Sequence, residues 1–299
     1  MRIQVISYMR GQVKHMGLQM EELYRISGIS RQCYHKLIHR QHDDALMWQR
    51  FVEMVIEYRK ERPRSSARKI HHSLKITEVG INRFERFISS QGLSVKRHRS
   101  FIKTTYSGAV RYPNLVNGLE VTGINQVWVS DITYFLIHNM TLYIVLIMDV
   151  YSRRIIGYSG SNNMLTINNQ EALQMAFYLR GKKKFDNLIH HSDKGSQYGS
   201  KNYTTMLLNA NITISMADNC LENPYAERIN GTIKNDYMIA YNIENQRDFQ
   251  RALSKSVKLY NTYPHGELKE WQSPIEFETS LRNSTGQSQE VMKLYDFRK

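Results

Sequence analysis

Two periodicities divide this chain. Before about residue 110, apolar residues recur at the three- and four-residue spacing of amphipathic helices. From Gln126 they alternate with polar residues, or run together for six or seven positions, as strands do. In the front part, Met20–Ile26 has helical spacing and Ser27-Gly28-Ile29-Ser30 interrupts it. Gly28 suits a helix stop and Ser30 a cap for the next helix, so a helix-turn-helix is predicted over about 13–40. Further helices are predicted at Trp48–Tyr58, Ala67–Leu74 and Ile81–Ser90.

The back part predicts strands at Gln126–Phe135, Met140–Val150 and Arg153–Tyr158, joined as an antiparallel meander by turns at His138-Asn139 and Tyr151-Ser152. A helix at Thr166–Leu179, a strand at Phe185–His190, a helix at Lys201–Asn209 and a strand at Ile212–Met216 follow. Asn223-Pro224 reads as a cap and first position of a helix running toward Tyr241. Gly108, Pro113, Gly118 and Gly123 mark a connector between the two parts.

Charge follows the same division. Residues 1–110 hold 21 Lys and Arg against 9 Asp and Glu, a net of +12. Residues 111–299 hold 20 against 18, a net of +2. A basic front half points to a polyanionic partner, and Arg31, Gln32, Tyr34, His35 and Lys36 stand on the helix that would enter a major groove. Lys96-Arg97-His98-Arg99 with Lys103 adds phosphate-binding charge in a linker. Two cysteines, Cys33 and Cys220, imply no disulfide framework and suit a reducing compartment. No signal-peptide pattern opens the chain, and Leu142–Met148 is too short to span a membrane.

Three acids change this picture. Asp131 lies in the middle of the first strand, on the face that also carries Val127 and Val129, where an unpaired carboxylate is costly. Asp193 follows the fourth strand and precedes Gly195, and Glu227 lies one turn into the capped helix. Each alone has a bland explanation, as a backbone-satisfied acid, a turn aspartate or a helix-dipole partner. Asp218 and Glu222 are rivals, placed before the helix begins. Together, oxygen ligands on separated elements suit Mg²⁺ and metal-assisted phosphoryl transfer. Lys234, seven residues after Glu227, falls on the same helix face and could meet DNA phosphate.

Asp131, Asp193 and then 33 intervening residues to Glu227 resemble the DD(35)E transposase and retroviral integrase superfamily. The words around them resemble bacterial insertion-element transposases of the IS-three family, second reading frame. They are Val127–Tyr134, Met148–Gly157, His190–Tyr198 and Asn219–Asn223 leading to Ala226-Glu227. Tyr260-Asn261, Pro264-His265 and Ser273–Phe277 are similar to that family's C-terminal signature. There are departures: the last acidic interval is 33 rather than about 35, Tyr263 stands where an arginine usually precedes Pro-His, and the zinc-binding module of integrases is lacking.

The resemblance implies an α/β ribonuclease H-like core, a mixed five-stranded sheet with flanking helices, behind an all-α helix-turn-helix DNA-binding region. The layout expected is a helical, basic region at 1–110 (helix-turn-helix about 13–40, second helical unit about 45–95) and a linker at 111–124. A catalytic core at 125–285 and a tail at 286–299 complete it. It implies a DNA transposase with Asp131, Asp193 and Glu227 as catalytic metal ligands for Mg²⁺, with Mn²⁺ as a substitute. Its partners would be element ends, target duplex and further copies of itself on DNA, in the bacterial cytoplasm. A DNA-binding regulator without catalysis, and another ribonuclease H-like nuclease that hydrolyses without joining, share parts of this evidence.

Overall fold

The computed structural model describes residues 19–95, 112–137, 140–283 and 290–295. The basic linker with Lys96, Arg97, Arg99 and Lys103, residues 13–18 of the expected helix-turn-helix and the turn at 138–139 lie outside the described residues. The chain divides into two compact units, one up to Tyr58 and one from Arg59 onward.

In the first unit, α1 (Met20–Ser27) ends at Gly28, whose φ of 68° is the left-handed stop that glycine favours. Gly28 and Ile29 donate backward to Arg25 and Tyr24, closing the last turn. Ser30 Oγ accepts from the Cys33 amide at 3.2 Å and opens α2 (Arg31–Glu61). The expected short second helix and the helix at Trp48–Tyr58 are one continuous element of 31 residues. No glycine or proline falls between Arg31 and Glu61, so nothing stops it before Pro63.

The second unit begins with Arg59, whose guanidinium donates to the carbonyls of Ser65 and Leu93. α3 (Ala67–Ser73), capped by Ser66, packs on α4 (Ile81–Ser90) through Ile70, Phe84 and Ile88. The Lys69 ammonium donates to the Tyr237 hydroxyl at 3.3 Å and His72 stacks on Trp271 at 3.9 Å, which join this helix pair to the rest of the unit, and Arg62 before it covers the ring of Tyr263. The tyrosine that stands in place of an arginine is thus a platform for a cation from another segment.

A short ribbon pairs β1 (Glu120–Val121) with the C-terminal β7 (Met292–Lys293). The main sheet contains β2 (Val127–Ile137), β3 (Met140–Asp149), β4 (Ile155–Ser161), β5 (Ile189–Ser192) and β6 (Thr213–Met216), in the order β4-β3-β2-β5-β6. The meander β2-β3-β4 is antiparallel, and β5 and β6 add in parallel. On one face α5 (Thr166–Arg180) and α6 (Lys201–Asn209) cover Trp128, Ile132, Val145 and Ile147. On the other, α7 (Pro224–Thr232) and α8 (Gln246–Thr262) cover Val127, Val129, Ile144 and Leu146. Each large apolar side chain buried this way contributes about 1.5–3 kcal/mol of transfer free energy. β4 admits helices closely on both sides: a Cβ at Gly157 would strike the Ala172 carbonyl, and one at Gly160 would strike Phe249 and Leu253.

The C-terminal signature is a set of fasteners. Asn261 receives the Ile155 amide at 2.9 Å and donates to its carbonyl at 2.8 Å. His265 bonds the Tyr260 carbonyl at 2.8 Å. Ser273 and Glu276 form reciprocal cap bonds at the start of α9 (Pro274–Asn283). Among the described residues no helix is long and apolar enough to cross a membrane.

Candidate active site

The odd-numbered face of β2 puts Asp131 beneath α7, opposite Leu146 of β3. Two asparagines fix the helix to the strand. The Asn223 amide donates to the Ser130 carbonyl at 3.0 Å, and the Asn230 amide donates to Asp131 Oδ2 at 2.9 Å. Asn223 was expected to cap α7 with its side chain; it stands at the cap position, but its oxygen accepts no cap bond, and its amide donates to β2 instead. Asn223, Glu227, Asn230 and Lys234 follow steps of four, three and four, one side of a helix, so Glu227 is carried between two anchors. After Thr232 the helix widens into a π turn (Ile233–Tyr237), which carries Lys234 with its ammonium 5.2 Å from the Tyr134 ring centre.

Asp193 arrives from the neighbouring strand. β5 pairs in parallel with β2, Val129 opposite His191, so the chain leaves β5 beside Asp131. Asp193 Oδ1 accepts from the Gly195 amide at 3.0 Å, and a Cβ at Gly195 would come within 2.9 Å of that oxygen. The glycine therefore permits the turn that holds the carboxylate.

Electrostatics show that the three acids share one region. Burial, then the negative charge of Asp193, push the Asp131 carboxyl up to about 8, with Glu227 adding to the rise and the bonds from Ile132 and Asn230 opposing it. Glu227 is exposed, yet desolvation by surrounding atoms raises its carboxyl as well. Burial lowers the Lys234 ammonium, and attraction to Asp131 acts against that fall. Lys234 is thus the cation beside the acids.

The donor set is oxygen only, which fits a hard divalent cation. Among the described residues no group of three or more His, Cys, Asp or Glu side chains stands close enough to hold a metal ion as it is. An open arrangement of carboxylates suits Mg²⁺, which keeps waters and takes substrate phosphate oxygens alongside one or two carboxylates.

The rival acids are occupied elsewhere. Glu222 accepts from Asn114 at 2.6 Å, from the Asp218 amide at 2.8 Å and from Asn219 at 2.9 Å, and so braces the loop before α7. Asp218 is ion-paired with Lys194. The two histidines before Asp193 are also structural. Burial lowers His190 to about 3 and His191 to about 4, so both stay neutral. His190 bonds the Tyr203 hydroxyl at 3.0 Å, while His191 joins Ser215 at 2.8 Å to the Glu222 carbonyl at 3.1 Å.

On α2, Arg31, Gln32 and Lys36 are exposed and His35 is half-buried. Tyr34 is not at the surface: it is 1% exposed, with its ring 5.6 Å from that of Tyr24. It belongs to the core of its own unit and is withdrawn as a DNA contact. Asn230 was missed in the sequence and Asn223 was read as a cap alone; their placement four residues before and three after Glu227 was the available signal.

A mixed five-stranded sheet in this order, with acids on its central strand, at the end of the adjacent parallel strand and on the helix that follows, defines a ribonuclease H-like catalytic core. The integrase core domain family matches residues 122–219, which include Asp131 and Asp193. Transposase InsF for insertion sequence IS3A of Escherichia coli (strain K12) is 31% identical over 201 residues, covering 65% of this chain and 67% of that protein. The insertion element IS600 uncharacterized 31 kDa protein of Shigella sonnei is 29% identical, covering 79% of this chain and 89% of that one. The HTLV-2 integrase catalytic core domain, solved in complex with magnesium, shows 18% identity and a TM-score of 0.43, over 55% of this chain and 99% of that one. The chain belongs to the IS3 family of insertion-element transposases, and its function is that of a DNA transposase.

Proposed function

We propose that the protein is a divalent-metal-dependent polynucleotidyl transferase that cuts DNA at insertion-element ends and joins the freed 3′-hydroxyl to a second duplex. The observation that carries this reading is the placement of Asp131 on β2, of Asp193 at the end of the paired strand β5 and of Glu227 on the helix that Asn223 and Asn230 fix to β2, an oxygen-only donor set. Asp131, Asp193 and Glu227 hold Mg²⁺ or Mn²⁺, which when bound activates the attacking oxygen and stabilises the leaving one. Asn230 orients Asp131, and Asn223 seats the helix that delivers Glu227. Lys234, half-buried beside Asp131, contacts the phosphate being transferred or its neighbour.

In the first reaction a water oxygen bonds to phosphorus as the bond to the 3′ oxygen breaks, leaving a 3′-hydroxyl and a 5′-phosphate. In the second, that hydroxyl bonds to phosphorus of the target strand, whose own 3′ oxygen departs and takes the proton. Recognition of element ends falls to Arg31, Gln32 and Lys36 on α2, whose exposure supports it, with His35 at its margin. Lys96, Arg97 and Arg99 supply backbone charge from the linker. Further copies of the chain assemble on the DNA, within the cytoplasm.

The test is a labelled element end incubated with a target duplex and Mg²⁺. Wild type yields joined product. Asp131→Asn yields neither cleavage nor joining while end binding persists, and cleavage by that variant overturns the assignment. Hydrolysis without joining by wild type would identify a nuclease, and binding alone a regulator.

A further inference from the structure

The reaction above makes no use of the outward face of α8. The inward face is apolar: Phe249, Leu253 and Val257 are buried in the core. The outward face carries Arg247, Arg251, Lys255 and Lys258, all exposed. Their steps of four, four and three place them along one side of the helix over about 16 Å. Among the described residues none of the four is ion-paired with a carboxylate, and Lys255 lies 5.3 Å from the ring of Tyr241. The one acid in α8, Asp248, is turned to the helix start, where it accepts from Asn245 at 2.7 Å.

This is not how a merely solvated helix face is composed. Such a face mixes signs at four-residue spacing, because opposite charges there attract and like charges repel by about 0.2–0.5 kcal/mol per pair. Four cations in file accept that repulsion. A partner with closely spaced negative charge relieves it, and duplex DNA presents one charge per about 1.7 Å of axis. α8 packs along β4 and against the π turn that carries Lys234, on the same side of the sheet as α7. A net charge of only +2 over residues 111–299 conceals it, since the compensating acids lie on other elements.

We propose that the outward face of α8 is a docking surface for the phosphate backbone of duplex DNA, separate from the helix-turn-helix and from the acid site. The choice of duplex DNA as the occupant rests on the transposase reading; the surface itself rests on the charge file.

The test measures binding of the full chain to a 30-bp duplex of arbitrary sequence as a function of salt. Replacing Arg247, Arg251, Lys255 and Lys258 together by Gln keeps helix propensity and removes the charge. The slope of log affinity against log salt becomes shallower by about 3 to 4, near 0.9 per lost phosphate contact. Exchanging the same positions as Arg247→Lys, Arg251→Lys, Lys255→Arg and Lys258→Arg retains the slope. Should the glutamine variant fail to fold, judged by circular dichroism, each single substitution lowers the slope by about 0.9. An unchanged slope overturns the proposal. So does an equal loss on replacing the exposed Lys182, Lys183 and Lys184, since bulk charge would then suffice. A change of oligomeric state with the slope unchanged assigns the face to a second copy and also overturns it. Because the readout is binding, a chain that docks DNA on α8 and cuts nothing sinks the catalytic reading alone. A chain that cuts element ends with an unaltered slope sinks this one alone.

Discussion

Two acid clusters lie in the second unit, and the chain treats them oppositely. At the end of β3, Asp149 accepts from the amides of Asn125, Tyr151 and Ser152 and from Arg180 at 3.0 Å. Glu278, brought from α9, accepts from Arg154 at 2.6 Å, from Arg180 at 2.8 Å and from the Ser152 hydroxyl at 2.7 Å. Two buried carboxylates meet two guanidinium groups, and nearly every oxygen lone pair has a donor. Where β2, β5 and α7 meet, Asp131 feels the charges of Asp193 and Glu227 and of Lys234, and among the described residues its donors are the Ile132 amide and the Asn230 side chain. The first cluster fastens α9 and α5 to the sheet. The second brings like-charged groups together, so that burial and the charge of Asp193 hold the Asp131 carboxyl in its protonated form at neutral pH.

Neutralising one member should therefore damage the first cluster and leave the second standing. The largest contrast pairs Asp131→Asn with Arg180→Leu. Asp131→Asn removes an acid that burial disfavours; it should reduce strand cleavage to background while unfolding at the same temperature as wild type or higher. Arg180→Leu takes from buried Asp149 its guanidinium partner and from Glu278 one of two, and should lose about 3–5 kcal/mol in denaturant unfolding. A loss below about 1 kcal/mol would end the comparison, since a surface pair is worth that much.

Asn230→Ala takes one donor from Asp131 without removing an acid. Cleavage should fall about 10- to 100-fold, with apparent Mg²⁺ affinity weakened and stability changed by about 1 kcal/mol. A variant that loses stability but cleaves normally would make Asn230 a packing residue only.

The smallest effect is in pH. Asp131 sits at about 8, above the about 3.9 of an exposed aspartate, so the folded chain holds a proton that the unfolded chain releases. Stability from this group falls as pH rises from about 4 through 8. In Glu278 burial acts upward, but the bonds from Arg180, Ser152 and Arg154 outweigh it and the carboxyl ends below its usual value. Its contribution is present above the unfolded value and is lost as pH falls through the folded one. Without divalent metal, the melting temperature should decline between about pH 5 and 8. Asp131→Asn should flatten that decline, and millimolar Mg²⁺ should lift the melting temperature at pH 8. An unchanged decline in the variant would place the titrating group elsewhere.

Much of the fold is readable locally. Alternation over Val127–Tyr134 marks β2 because one face of a strand meets a core, and Gly28 with Ser30 marks a turn because each supplies a local bond or a permitted φ. The helix Lys201–Asn209 has the bounds expected of it. β5 begins at Ile189 rather than Phe185, because Asn187 takes a left-handed φ of 58° that breaks the extended backbone before it. Asn223 reads locally as a cap and nothing more, and Asn230 carries little local signal, since a helical asparagine reads as neutral until the strand beneath it is known. The cation file on α8 is periodic in the sequence, yet disappears when charge is summed over half the chain.

The sequence by itself determined which residues could do chemistry and on which local element each would ride: Asp131 on a strand, Asp193 in a glycine turn, Glu227 one turn into a helix. Caps, periodicity and turn residues act over a few positions, so one chain segment is enough to decide them. That the elements carrying the three acids come together was decided by tertiary structure, by parallel pairing of β5 with β2 and by two asparagines seating α7. Those contacts span 93 and 99 residues of sequence, and only the packing of helices on both faces of the sheet brings their ends together.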